Sequence, residues 1–318
     1  MKWAALLVSL FVSLNAVAEP RRIVPPELPS GDVSAVARSQ HQLFIGSFDQ
    51  GLFVLRGDAM ERVESGVNPN INALAWDERA QVLWVGTARG VSRCVSKPGM
   101  PLDCRRVGHS VSVHALLLAR DGTVIAGTEQ GLSLFKGDRS QSSFGAKQRT
   151  PFRAVWALAE SENGELFVGT TSGLYWTRTA ALVNAAPELA PSFARASLVS
   201  GELPDDWVTA LIAQAGELHV GTYNAGLVSF KVQASRLGER VADASLGYVN
   251  PAGITRLRNG QLAVATMDGL RVGTPGAFQL RATLGQDVTQ VLPARAQGQY
   301  WIATRRGLER LDLEAPTL

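Results

Sequence analysis

Three stretches of this 318-residue chain carry residue types that could perform covalent or metal chemistry. Gly108-His109-Ser110-Val111-Ser112 begins like the turn that lifts a nucleophilic serine above a hydrolase sheet. That turn needs glycine where Ser112 stands and a helix after it, whereas a strand-like run follows here. Gly46 to Gly51 has the spacing of a phosphate loop, but Leu52-Phe53 occupies the places of the Lys and Ser/Thr that engage phosphate and metal. His41, His109, His114 and His219 stand at no ligand spacing with another His, a Cys or a carboxylate, so neither a metal nor a cofactor is expected. His219 lies inside an apolar run and reads as a packed ring.

Cys94 and Cys104 flank a turn-rich stretch, Ser96 to Pro101, that could close a β-hairpin. Cys94 fills a slot held elsewhere by Phe or Leu, which is one reading of it as a small buried hydrophobe. An oxidising compartment and the hairpin spacing favour a disulfide between the two.

The elements that would position any of these residues repeat seven times. A glycine followed by a small hydroxyl residue recurs at Gly46-Ser47, Gly86-Thr87, Gly127-Thr128, Gly169-Thr170 and Gly221-Thr222, with Ala265-Thr266 and Ala303-Thr304 as degenerate copies. Each copy follows a short apolar run such as Leu83-Trp84-Val85, and each precedes a Gly–apolar pair such as Gly90-Val91 or Gly131-Leu132. Upstream stands a V-x-A-L element: Val33 to Val36, Ile71 to Leu74, Val113 to Leu116, Val155 to Leu158 and Val208 to Leu211. Looser versions occupy Ile254 to Leu257 and Val288 to Val291. Asp121-Gly122, Asn163-Gly164 and Asn259-Gly260 supply hairpin turns between the first two strands of a repeat. Less regular fourth strands are expected near Arg62-Val63, Leu102 to Val107 and Phe278 to Ala282. Four strands at a period near 40 residues predict an all-β, seven-bladed β-propeller of four-stranded antiparallel blades. The last repeat lacks an outer strand, and the unclaimed Arg22-Ile23-Val24-Pro25 is expected to supply it and close the ring.

These repeats resemble the two-component regulator propeller repeat, best in Leu83-Trp84-Val85-Gly86-Thr87 and Gly131-Leu132-Ser133-Leu134-Phe135. The resemblance covers essentially all of residues 19–318 and implies a propeller of the kind found in periplasmic sensor halves of membrane-bound histidine kinases. The sequence contains no kinase, so the resemblance implies ligand sensing or service to a separate sensor kinase.

Met1-Lys2, the apolar stretch Trp3 to Leu14 and Ala16-Val17-Ala18 form a signal-peptide pattern with cleavage after Ala18. A periplasmic or secreted protein is expected, without a membrane anchor. The formal charge of +3 is spread without a Lys/Arg run, so no nucleic-acid partner is expected.

In a propeller the loop entering the first strand and the turn joining the second to the third share one face. The entering loops carry Asp32, Asn70, His109, Arg153, Asp205, Asp206, Trp207, Asn250 and Asp287. The turns carry Asp49, Gln50, Arg89, Glu129, Gln130, Tyr223, Asn224, Asp268, Arg305 and Arg306. Solvation accounts for most polar loop residues, yet Trp207 has no place in the repeat pattern. The expected ligand site comprises Asp205, Asp206, Trp207, Tyr223, Asn224, Arg89, Glu129, Arg153, Asp268, Arg305 and Arg306. Amides, mixed charges and two rings suit a glycan, a peptide or an envelope protein, and suit an apolar cofactor poorly. The leading expectation is a non-catalytic binding or scaffold propeller. The alternative is a lyase or hydrolase using one His with Asp206 or Glu129 at the channel mouth.

Overall fold

A computed structural model of the chain describes residues 21–23, 32–57, 59–97, 100–233, 236–282 and 287–314. These residues form seven four-stranded antiparallel sheets. The innermost strands are Val33–Arg38, Ile71–Asp77, Val113–Leu118, Val155–Glu160, Val208–Gln214, Val249–Arg256 and Val288–Pro293. Each packs against the innermost strands before and after it, and the seventh meets the first, so the sheets close into a ring of seven blades. The seventh blade is completed by Arg21–Ile23, antiparallel to Gly307–Asp312 with Arg21 opposite Arg310 and Ile23 opposite Leu308. The expected closure is therefore present. Val24, Pro25 and residues 1–18, where a signal peptide is expected, lie outside the described residues.

The repeated residue types follow from how one blade meets the next. A Cβ added to Gly46 would stand 2.5 Å from Cγ2 of Ile71, and one on Gly86 would stand 2.6 Å from Cγ1 of Val113. Gly127, Gly169 and Gly221 repeat this against Val155, Val208 and Val249. The glycine thus exists to admit the leading β-branched residue of the following blade. The hydroxyl beside it clamps the next turn: Thr87 Oγ1 donates to the Gly90 carbonyl at 2.9 Å, and Thr128, Thr170, Thr222, Thr266 and Thr304 do the same. At the opposite ends of the blades, Gly122 and Gly164 turn the first hairpins with φ of +83° and +76°.

Within V-x-A-L, the residue x is a β-bulge. The register slips between Val33 and Ala35, Ile71 and Ala73, Val113 and Ala115, Val155 and Ala157, Val208 and Ala210, and Val288 and Gln290. A bulge frees one residue from the ladder and re-aims its side chain. Asn72, Thr209 and Thr289 use that freedom to donate to the carbonyls of Val113, Val249 and Val33 in the following blade, at 2.8, 2.6 and 2.7 Å. The sixth blade has a wider bulge between Val249 and Ile254, and Asn250 within it makes the same tie to the Val288 carbonyl at 2.6 Å.

Cys94 and Cys104 face each other on adjacent strands and are joined by a disulfide, with Cα atoms 3.9 Å apart. Cys94 is also fully buried among Phe44, Leu83 and Leu102 between the first two blades, so bridge and core slot coincide. His219 is buried in its apolar run, as expected, with Nδ1 2.7 Å from the Ser229 hydroxyl. Burial holds its pKa down at about 4, against the raising effect of Glu217.

Candidate functional site at the channel mouth

The two loop sets are hydrogen-bonded to each other, which places them on one face. The Ala88 amide donates to the Asn70 carbonyl at 3.0 Å, Glu129 to Ser112 at 3.1 Å, Tyr223 to Trp207 at 3.0 Å and Arg305 to Asp287 at 3.1 Å. At their centre the innermost strands surround a cavity of about 480 Å3. Phe48, His114, Trp156, Tyr248 and Arg305 border it near this face, and Ala73, Leu74, Ala115, Leu116, Ala157 and Leu158 line it deeper down.

Five rings run around the mouth across four blades. His114 stacks on Trp156 with centroids 4.2 Å apart, and Trp156 meets Trp207 edge-on at 5.6 Å. Trp207 stacks on Tyr223 at 4.1 Å, and Tyr223 meets Tyr248 edge-on at 4.9 Å. His114 and Trp156 are the bulge residues of the third and fourth blades, so a ring replaces the inter-blade hydrogen bond that Asn or Thr makes elsewhere. Burial lowers the pKa of His114, opposed by Glu129. Burial raises the Tyr248 phenol, with Asp287 and Tyr223 adding to it and Arg305 opposing.

The charged part of the mouth lies where the seventh blade meets the first. Arg305 bonds Asp287 at 2.7 Å, pairs with Asp32 at 3.6 Å and lies over the Phe48 ring at 4.6 Å. Asp287 also accepts from the Asn250 amide at 2.5 Å. Desolvation raises the Asp32 carboxyl above the usual range; Arg305 opposes this, while Asp49 and Asp287 reinforce it.

The residues expected from sequence divide into three groups. Trp207 and Tyr223 are brought together in the ring arc, and Arg305 borders the cavity. Arg89, Glu129, Arg153, Asn224, Asp268 and Arg306 are exposed around the rim. Asp205 and Asp206 are engaged by backbone amides: Asp205 accepts from the amides of Trp207 in its own loop at 3.1 Å and of Asn224 in the neighbouring turn at 2.9 Å, and Asp206 accepts from Leu198 at 2.7 Å. Sequence reasoning passed over Trp156, Tyr248 and Phe48, and left His114 out of the expected ligand site. The available signal was the x position, where a Trp and a His interrupt Ser34, Asn72, Thr209 and Thr289.

No family model matches the chain, and no curated protein matches it. Solved structures do. The chain is similar to the extracellular domain of a hybrid two-component system from B. thetaiotaomicron, with a TM-score of 0.75 and 13% identity over 92% of this chain, and it spans 40% of that one. It is also similar to the WD40 β-propeller domain of Doa1, with a TM-score of 0.65 and 15% identity over 88% of this chain and 92% of that one. A computationally designed protein, Ika8, aligns with a TM-score of 0.57 and 14% identity over 89% and 97% of the two chains. At these identities the likeness is one of fold.

Proposed function

We propose that this chain is an exported, non-catalytic recognition propeller that takes a glycan, an envelope component or a partner protein at the mouth described above. The observation that carries this reading is the continuous run of five rings, His114, Trp156, Trp207, Tyr223 and Tyr248, beside an open cavity. Rings give a rigid scaffold large contact area at small entropic cost. His114 lies stacked on the Trp156 ring, an arrangement suited to recognition. The leader pattern that ends at Ala18 and the resemblance to regulator propeller repeats support export and a sensing or scaffold role.

The test is a glycan array together with a pull-down from envelope extract, using the mature protein and a Trp207→Ala/Tyr223→Ala variant. The double variant should bind about tenfold or more weakly, as loss of aromatic anchors does, with an unchanged melting temperature. Normal binding by this variant, with binding lost on substitution of Trp76 at the opposite end of the second blade, would move the site to the other face.

A further inference from the structure

On the face opposite the rings, a groove of about 250 Å3 runs between the seventh blade and the first. The first hairpins of both blades border it, at the far ends of the strands from the channel mouth. Its lining carries the guanidinium groups of Arg38, Arg295 and Arg310 and the imidazole of His41. Among the described residues no carboxylate lines it, and none of the three arginines is paired with one. Asp312, opposite Gln299, is set against Gly298, where a Cβ would stand 2.9 Å from it, and accepts from the Glu314 amide at 3.0 Å. The groove on the other side of the first blade is built differently: there Arg56 pairs with Glu61 at 2.7 Å, and Arg62 lies 3.9 Å from Glu64.

The fold holds each of these basic groups in place. Arg38 ends the innermost strand of the first blade, opposite Leu43. The Ser39 hydroxyl accepts from the amides of His41 at 3.2 Å and Gln42 at 3.1 Å, which shapes the hairpin that carries His41. Arg295 stands between Ala294 and Ala296, whose carbonyls accept from the Arg258 guanidinium of the sixth blade at 3.2 and 3.3 Å. Those carbonyls are thereby occupied, and a further positive charge stands behind the hairpin. Arg310 lies over the Trp301 ring, 5.8 Å from its centroid. Like charges gathered without an acid repel one another, a cost that a bound anion removes. A guanidinium gives a phosphate two parallel N–H bonds, and a phosphate ester carries about 1.5 to 2 negative charges near neutral pH, more than a carboxylate. About 250 Å3 is less than a whole-ligand pocket and suits one compact group.

We propose that this groove is a phosphate-binding site, separate from whatever the ring-bearing mouth recognises. The phosphate oxygens meet Arg38, Arg295 and Arg310, with His41 at the exposed edge. Inorganic phosphate and the phosphate ester of a sugar offer the same chemistry.

The decisive experiment titrates the mature protein by calorimetry with inorganic phosphate, glucose 1-phosphate, glucuronate and glucose. A phosphate probe should bind one-to-one, at least about tenfold more tightly than glucuronate and more weakly as salt is added, while glucose should not bind. Tighter binding of glucose 1-phosphate than of inorganic phosphate assigns the site to a sugar phosphate; binding of the ester that is no tighter assigns it to the free anion. Arg295→Gln, on an exposed hairpin, should weaken the phosphate probe by about tenfold or more, and Arg38→Gln/Arg295→Gln should abolish binding, both with normal melting. Arg139→Gln, on the outer strand of the third blade, removes an exposed arginine elsewhere and should leave binding unchanged. Binding of neither phosphate probe, equal affinity for glucuronate, indifference to Arg295→Gln, or equal loss in Arg139→Gln overturns the inference. Trp207→Ala/Tyr223→Ala should leave phosphate binding intact, and loss of phosphate binding in that variant also overturns it. The recognition reading of the mouth stands or falls separately.

Discussion

Trp207 lies face to face with Tyr223, the ring planes 10° from parallel, and a single carboxylate ties together the two loops that carry them. Asp205 accepts one hydrogen bond from the Trp207 amide and another from the Asn224 amide, next to Tyr223. The stack is thereby set from below by short-range backbone bonds. Asp205→Ala should lower stability by about 2 kcal/mol, the range for hydrogen bonds to charged groups. It should also alter the near-ultraviolet circular dichroism of the stacked rings. An unchanged aromatic signal would show that the stack holds itself.

The outer strand of the seventh blade comes from the other end of the chain. Deleting residues 19–28 removes Arg21–Ile23 and bares the edge of Gly307–Asp312. A lower melting temperature and concentration-dependent association should follow, because an open strand edge recruits another chain. Calorimetry and light scattering report both.

His219 makes stability depend on pH in a defined window. Its folded pKa of about 4 lies below the ordinary histidine value near 6.5 because burial disfavours the imidazolium. The unfolded chain therefore takes up the proton first. The contribution is whole above about pH 6.5 and is lost as pH falls toward 4, about 3 kcal/mol across the window. His219→Phe restores the ring type of Phe44 and Phe167 at this slot. Urea midpoints of the variant should fall less steeply between these pH values than those of the parent.

The Cys94–Cys104 bridge closes a short loop in the second blade. In the chain-entropy description its removal costs about 3 kcal/mol. Cys94→Ala/Cys104→Ala should lower the denaturation midpoint accordingly. Protein prepared from an oxidising compartment should show no alkylated thiol by intact mass, and two alkylated thiols would contradict the bridge in vivo.

The ring was legible because its packing dictates residue types. A glycine must stand under the Val or Ile of the next blade, so Gly46, Gly86, Gly127, Gly169 and Gly221 announce the blades directly. The missing outer strand was legible for the same reason, as a place in the pattern that only residues near Arg22 could fill. The sixth blade read poorly because its bulge from Val249 to Ile254 stretches the motif. The site was half legible. Trp207 was visible as a ring without a repeat slot. Trp156 and His114 were hidden inside a slot that tolerates any side chain, since a bulged residue obeys no ladder. Phe48 and Tyr248 reach the mouth through loop paths that no periodicity encodes. The acidic pair looked available for a ligand, yet Asp206 bonds an amide of its own loop and Asp205 bonds amides of its own loop and of the neighbouring turn, a preference of aspartate for backbone amides that spacing alone does not reveal.

The Thr289 hydroxyl bonded to Val33, together with the strand Arg21–Ile23 laid on the seventh blade, has a consequence for how the molecule comes apart. Open arrays of repeats fray from their terminal units, whose outer faces have no neighbour. Here every blade has a neighbour on both sides, so no unit can melt first without breaking two interfaces. Loss of structure should thus begin only once the clasp opens, and amide exchange from the buried strands of all seven blades should share a single opening free energy.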